Sequence, residues 1–383
     1  MESRGRPSIS PPQARRRNND DQMVQMNPLE DNAGDRLGAM SQIYFQVQPQ
    51  MQSRSMPYDW APSQHYNQPS SHSRSPNTIN SICWNSRGTH FVTGSRDSVV
   101  RLHAVGNGEL KKQGDFKAHT NQINHVDFSN PESENMFSSV AQDCSFRIWD
   151  TRRKQPVHVE RTKEKLLRGI FCPLIGDTEK GNTFATCNYI DDINFYDTRM
   201  WKVKHTIKYK QEINSFLWDK TASALFVADI AGTISIYNAA TQQLAAQLTG
   251  IHKKMQSVEC LAMHPSNEYF VSGGYDSLIA FWDFEDLLCT GTISENNFQV
   301  RKLDFSPCGK FLSSICYDES NKMSMLDVYD PERRVSIARS IPSVYPKTCM
   351  HWHPEPGSRI LAICGEKEDQ GIAQLIKLDK NKG

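Results

Sequence analysis

The chain has 383 residues, 38% of them hydrophobic, with a formal net charge of +1 and a mean hydropathy of −0.60. No apolar run reaches the ~20 residues that span a bilayer, and the opening MESRGRPSIS lacks the apolar core of a secretory signal. A charge this close to zero gives no general pull on nucleic acid. The ten cysteines form no CxxC pair and sit mostly in apolar strand patterns. They read as reduced thiols of a nuclear or cytosolic protein.

Residues 1–75 are rich in Gln, Ser, Pro, Asn, Met and Arg and show little apolar periodicity. Such a segment buries too little surface to offset its ordering entropy, so a mostly disordered, low-complexity tail is expected. Within it, Ile43–Val47 alternates like a strand or a docking peptide, Arg15–Arg17 fits part of a nuclear import signal, and Ser10-Pro11 and Ser75-Pro76 fit phosphorylation sites.

Residues 76–380 repeat one unit. It opens with an apolar-x-x-apolar-x-aromatic strand, seen as Ile79–Trp84, Ile123–Phe128, Leu167–Cys172, Ile213–Trp218, Val258–Met263, Val300–Phe305 and Lys347–Trp352. The last positions of these strands are 44, 44, 46, 45, 42 and 47 residues apart. A period near 40–45 made of short strands is the pattern of propeller blades, and seven units predict seven blades. Turns follow the first strand at Asn85–Gly88, His264–Asn267 and Ser306–Gly309, where Pro fixes φ or Gly and Asn accept positive φ. The last repeat ends without a fourth strand, and an open edge there would invite pairing. Residues 57–78 or Ile43–Val47 are therefore expected to supply that strand and close the ring.

Marker residues recur within the units. An aspartate stands six residues before a tryptophan at Asp143/Trp149 and Asp276/Trp282, and Asp97 holds the same place ahead of His103. A hydroxyl residue precedes each aspartate by four, at Thr93, Ser139 and Ser272, and His119 and His252 open two of the repeats. These residues resemble the WD repeat, and the resemblance implies one hydrogen-bonded network per blade. The same residue types could make a Ser-His-Asp triad. Recurrence blade by blade suits a structural unit better, so no catalytic residue is assigned. Ile190 and Ala231 stand where blades 3 and 4 should carry aspartate, so apolar packing is expected to hold those blades. Gly176–Gly181 lacks the GK[ST] ending of a P-loop. His351-Trp352-His353 lacks companion ligands at metal spacing, and its His353-Pro354 repeats the turn position of His264-Pro265. Asp191-Asp192 reads as a strand start. No metal, cofactor or small-molecule substrate is expected.

Over about residues 79–378 the chain resembles the THO complex subunit 3 family, the WD-repeat subunit of the THO/TREX mRNA export assembly. The resemblance rests on Cys83-Trp84 through Phe91–Asp97, on the paired aspartates in Asn188–Asp192, and on Glu212–Trp218. It continues through Phe270–Asp283, Leu287–Cys289, Val300–Ser306, Met350–Pro354 and Ala373–Leu378. It implies an all-β, seven-bladed propeller in the nucleus. That propeller would serve as a non-catalytic platform for the large helical THO subunits in messenger ribonucleoprotein assembly and export. A closed propeller is rigid and presents loops on two faces and its rim, so it binds with little loss of its own entropy.

Two other readings use basic residues. Asp150-Thr151-Arg152 and Asp197-Thr198-Arg199 resemble the paired boxes of cullin-RING substrate receptors, whose arginines would meet acidic groups on an adaptor. Arg152, Arg153, Lys154, Arg161, Lys163, Lys165 and Arg168, with Lys202, Lys204, Lys208 and Lys210 one blade on, could form a phosphate-binding stripe for RNA. Interleaved acids and the lack of an RNA-recognition motif favour a solvated face, with any RNA contact weak or indirect. The candidate partner-binding residues are Arg152, Arg153, Lys154, Arg199, Lys202 and Lys204.

Overall fold

The spacing of the first strand is not strict alternation. Placing Ile79, Ile82 and Trp84 on one face requires one extra residue between the first two. The computed structural model describes residues 58–61, 72–76 and 78–380, apart from 107–108, 129–132, 175–181, 253–255, 296–297, 321, 340–346 and 368–369. In it the extra residue is a β-bulge. Pairing slips by one between Ile79 and Ser81, between Ile123 and His125, between Leu166 and Arg168, and at the same place in the other four first strands.

These seven strands are the innermost of seven antiparallel sheets. Among the described residues, six sheets have four strands in chain order and the seventh has five. Inner strands of neighbouring blades pack on one another at six seams, that of blade 7 on that of blade 1 included, and an apolar cluster from Cys187 to Phe216 joins blades 3 and 4, which closes a ring. The chain folds as an all-β, seven-bladed propeller. Blade 3 differs slightly from expectation. Its inner strand is Leu166–Phe171, one residue early, because Phe171 faces Phe184 across the ladder as Phe128 faces Phe137 in blade 2.

The core is divided the same way. Seven apolar clusters lie one to each seam between blades. The cluster between blades 1 and 2, for example, joins Val92, Leu102 and Phe116 to Ile123, Phe128, Phe137 and Trp149. Second strands end in small residues because the next blade's inner strand presses on them. A Cβ on Gly94 would lie 2.6 Å from Ile123 Cγ2, and one on Gly273 would lie 2.5 Å from Val300 Cγ1.

The ring is sealed by both ends of the chain. The long third strand of blade 7, Gln370–Lys380, pairs antiparallel with Tyr58–Ala61 and with His72–Pro76. The last sheet therefore takes in two segments from within the low-complexity region, Tyr58–Ala61 and His72–Pro76. Low-complexity sequence gains order here by adding to a ready-made edge, which needs no core of its own. Ile43–Val47 and Arg15–Arg17 lie outside the described residues.

Candidate functional site

Each blade has two ends, which antiparallel topology keeps on opposite faces of the ring. One carries the turn between the second and third strands, and there the marker residues meet. In blade 2, Trp149 Nε1 donates to Ser139 Oγ at 2.8 Å, Ser139 lies 2.7 Å from His119 Nε2, and His119 Nδ1 lies 2.9 Å from Asp143. The Thr120 amide and the Ser145 hydroxyl also donate to Asp143. Burial opposes the Asp143 charge, but the bonds from His119, Ser145 and Thr120 outweigh it and hold the carboxyl far below its usual range. Burial in turn lowers His119. A neutral imidazole with its proton on Nδ1 satisfies every member of the chain. Blade 5 repeats this with His252, Ser272, Asp276 and Trp282, at 3.0, 2.7 and 2.8 Å.

The order Ser-His-Asp is thus present, but both Ser139 and Ser272 are fully buried and already bonded to tryptophan. Their geometry locks a blade and offers no nucleophile to a substrate. Ser139→Ala would strand the Trp149 donor and the His119 acceptor in a dry place. We expect a loss of about 2–4 kcal/mol in chemical denaturation, and a loss under about 0.5 kcal/mol would show that the network carries little of the blade's stability.

Blade 1 substitutes other groups. Thr93 lies 3.1 Å from His103 Nε2, His103 stacks on Phe91 at 4.7 Å, and Arg101 forks onto Asp97. Burial, then the neighbouring Arg101 charge, brings His103 down to about 3, so it stays neutral. Blades 3 and 4 were expected to rely on apolar packing, and the structure corrects this. Their acceptor has moved two residues earlier. Asn188 Oδ1 accepts from the amides of Ile190 and Asp192, and Asp229 Oδ1 from those of Ala231 and Thr233. Tyr209 stands where His119 does in blade 2, four residues before the inner strand, and bonds Asp229 at 2.8 Å and Ser235 at 2.9 Å. Asp191 sits in the turn at φ 63°, and its carboxylate accepts the Ile213 amide of the next blade.

The same end exposes a run of large side chains. Tyr189, Ile190, Ile230 and Tyr275 occupy equivalent turns of blades 3, 4 and 5 and are 41–53% exposed. Tyr189 OH accepts from Gln142 at 2.6 Å and Tyr275 OH donates to Glu319 at 3.2 Å, which pins both rings across neighbouring blades.

The opposite end carries the two Asp-Thr-Arg boxes, in matching geometry. Arg152 bonds its own Asp150 through Nε at 2.9 Å and Nη2 at 2.6 Å, and Arg199 bonds Asp197 at 3.0 and 2.7 Å. Each guanidinium holds its carboxyl below the usual range. Arg153, Lys154 and Lys202 are exposed, while Lys204 reaches Asp197 at 3.3 Å and Lys208 reaches Asp192 at 3.9 Å. The basic stripe is therefore laced with ion pairs. Arg168 lies apart from it and lines the central channel. His353 bonds Gly88 O at 3.1 Å in a turn, and His351 accepts the Trp84 amide. Among the described residues, no group of three or more His, Cys, Asp or Glu is placed to hold a metal ion.

Sequence reasoning overlooked the channel. The inner strands of all seven blades line a central space of about 710 Å³. Second-position side chains stitch each blade to the next there: Asn80 donates to Ile123 O, Asn124 to Leu166 O, Asn214 to Val258 O and Thr348 to Ile79 O. The recurring Ile-Asn pair was the available signal.

Comparison with known proteins agrees with this geometry. Residues 65–103, 110–150 and 247–283 match the family described as WD domain, G-beta repeat. The chain is a seven-bladed propeller with WD repeats in its first, second and fifth blades. It is similar to THO complex subunit 3 of Arabidopsis thaliana, with 24% identity over 312 residues that cover 79% of this chain and 93% of that protein. It is also similar to WD repeat-containing protein AAC3 of Dictyostelium discoideum, 22% identical over 248 residues, 59% of this chain and half of that one. Among solved structures it superposes on the Cps50 (Swd1) β-propeller domain of Myceliophteria_thermophila with a TM-score of 0.64 at 13% identity, covering 79% of this chain and 98% of that domain. That likeness shows the fold alone.

Proposed function

We propose that the protein is a non-catalytic scaffold subunit of a THO-type assembly in the nucleus, where it supports messenger ribonucleoprotein assembly and export through protein–protein contacts. The observation that carries this is the similarity that runs along 93% of THO complex subunit 3. Physical features support it. A closed ring with seven separately packed seams is rigid, so a partner's ordering costs are the main ones. The exposed Tyr189, Ile190, Ile230 and Tyr275 give neighbouring blades one apolar strip, of the kind helical subunits cover. RNA contact is at most supporting, because the basic stripe is already paired in part with its own acids.

The test is purification of the tagged full chain from nuclear extract, with and without nuclease, followed by mass spectrometry. We expect nuclease-resistant recovery of large helical THO subunits, abolished by Ile190→Asp with Ile230→Asp and unchanged by Arg152→Ala with Arg199→Ala. Recovery that vanishes with nuclease would favour the RNA reading. Recovery of a cullin and its propeller adaptor, lost in the double arginine variant, would replace the scaffold reading with a ubiquitin-ligase receptor.

A further inference from the structure

The bulge places one residue of every inner strand at the same level of the channel. At that level stand His125, Arg168 and Lys302, with the serines Ser81 and Ser215 and two cysteines between them. No carboxylate shares the level. The nearest acids along the channel, Asp127 and Asp304, stand two residues further along their strands and are engaged by the amides of Phe171 and Trp352, each at 2.9 Å.

Arg168 donates through Nη1 to Ser215 Oγ at 2.9 Å, and its buried Nε has no protein partner. Lys302 is exposed to the water of the channel that it lines. The protein packed around it first, and then the charge of Arg168, lowers its proton affinity. His125 commits Nδ1 to Gly169 O at 2.9 Å and leaves Nε2 to the channel. Arg168 feels the charge of Asp127 and Lys302 that of Glu259, but among the described residues no carboxylate bonds either side chain, and an anion between the two cations relieves their mutual repulsion.

We propose that this level of the channel is a binding site for a small phosphate-bearing anion, with Arg168 and Lys302 on its oxygens. Two fixed cations match the roughly two negative charges of a phosphoryl group. Arg supplies a planar fork and Lys a point charge, and both suit phosphoryl oxygens. The space of about 710 Å³ falls within the range of small-ligand sites. The ligand would be bound and not transformed, so the site is independent of the scaffold reading.

The test is calorimetric titration of the full-length protein with inorganic pyrophosphate at fixed ionic strength. We expect saturable binding with one ligand per chain. Lys302→Met and Arg168→Gln should each weaken it about tenfold or more, while Lys204→Ala on the rim leaves it unchanged. Thermal melts of each variant confirm that it is folded, and Lys302→Met removes a charge that Arg168 opposes and should fold as well as the native chain. Absence of saturable heat, equal binding by Lys302→Met, or equal weakening by Lys204→Ala would overturn the site. Sulfate competing as well as pyrophosphate would overturn the phosphate assignment. A phosphoserine peptide that binds where pyrophosphate does not would overturn the small-ligand assignment.

Discussion

A chain that begins at residue 78 should melt about 10 °C below one that begins at Ser55. The shorter chain lacks Tyr58–Ala61 and His72–Pro76, which face Lys377–Lys380 and Gln370–Gln374 across the last sheet. Without them the eleven-residue strand Gln370–Lys380 becomes a free edge, with its donors and acceptors open to solvent or to another chain. Tyr58 adds a second tie. Its ring meets Phe311 of blade 6 edge-on at 5.5 Å, and Arg359 lies over it at 5.6 Å. The chain starting at Ser55 should match full length, which separates closure from any effect of the preceding residues. Hydrogen exchange should quicken first along residues 370–380. Equal midpoints for the two shortened chains would show that the N-terminal strands do not seal the ring.

The native protein should lose more stability between pH 5 and pH 8 than Asp127→Asn does. Burial pushes Asp127 up to about 7 from an ordinary 3.8, with the Phe171 amide and Arg168 offsetting only part of the rise. Between those values the folded chain keeps a proton that the unfolded chain has shed. This contribution to stability is therefore whole below about pH 4, declines as pH rises, and is gone above about 7. Across pH 5–8 it amounts to about 2–3 kcal/mol, the lower figure allowing for channel water beside the carboxyl. Asparagine still accepts the Phe171 amide, so the substitution removes the titration and keeps the bond. Urea midpoints of both proteins at the two pH values measure the difference. Parallel declines would mean that Asp127 is ionised throughout.

Much of the ring was legible because its determinants are local. An aromatic or large apolar residue ends almost every inner strand, and its recurrence from Trp84 to Trp352 sets the blade count. The slip at blade 3 has a plain cause. Cys172 is as buried as a strand residue and follows Phe171 directly, so spacing alone could not choose between them. The blade 3 and 4 networks were illegible to a search for aspartate at a fixed place. A turn needs an acceptor near its amides, and Asn188 or Asp229 meets that need from the preceding strand end. The channel level was hidden for a third reason. Strict alternation groups Ile79 with Ser81 and Cys83, whereas the bulge returns Ile79 to the seam with Ile82 and leaves Ser81 facing the channel. The apolar-x-x-apolar spacing already contained that break in period.

The seal between Tyr58 and Lys380 joins residues 322 positions apart, which sets an order of events during synthesis. The first strand made is the last to find its partner. At ~5–20 residues per second, it waits unpaired for tens of seconds while six blades stack beside it as an open arc. Through that interval the arc has two unfinished ends, each able to accept a strand from a neighbouring nascent chain. Two chains that exchange their N-terminal strands would satisfy the same pairings as one chain closed on itself. Crowded translation of this message thus raises the frequency of such exchange, against which closure within one chain competes through its higher effective concentration.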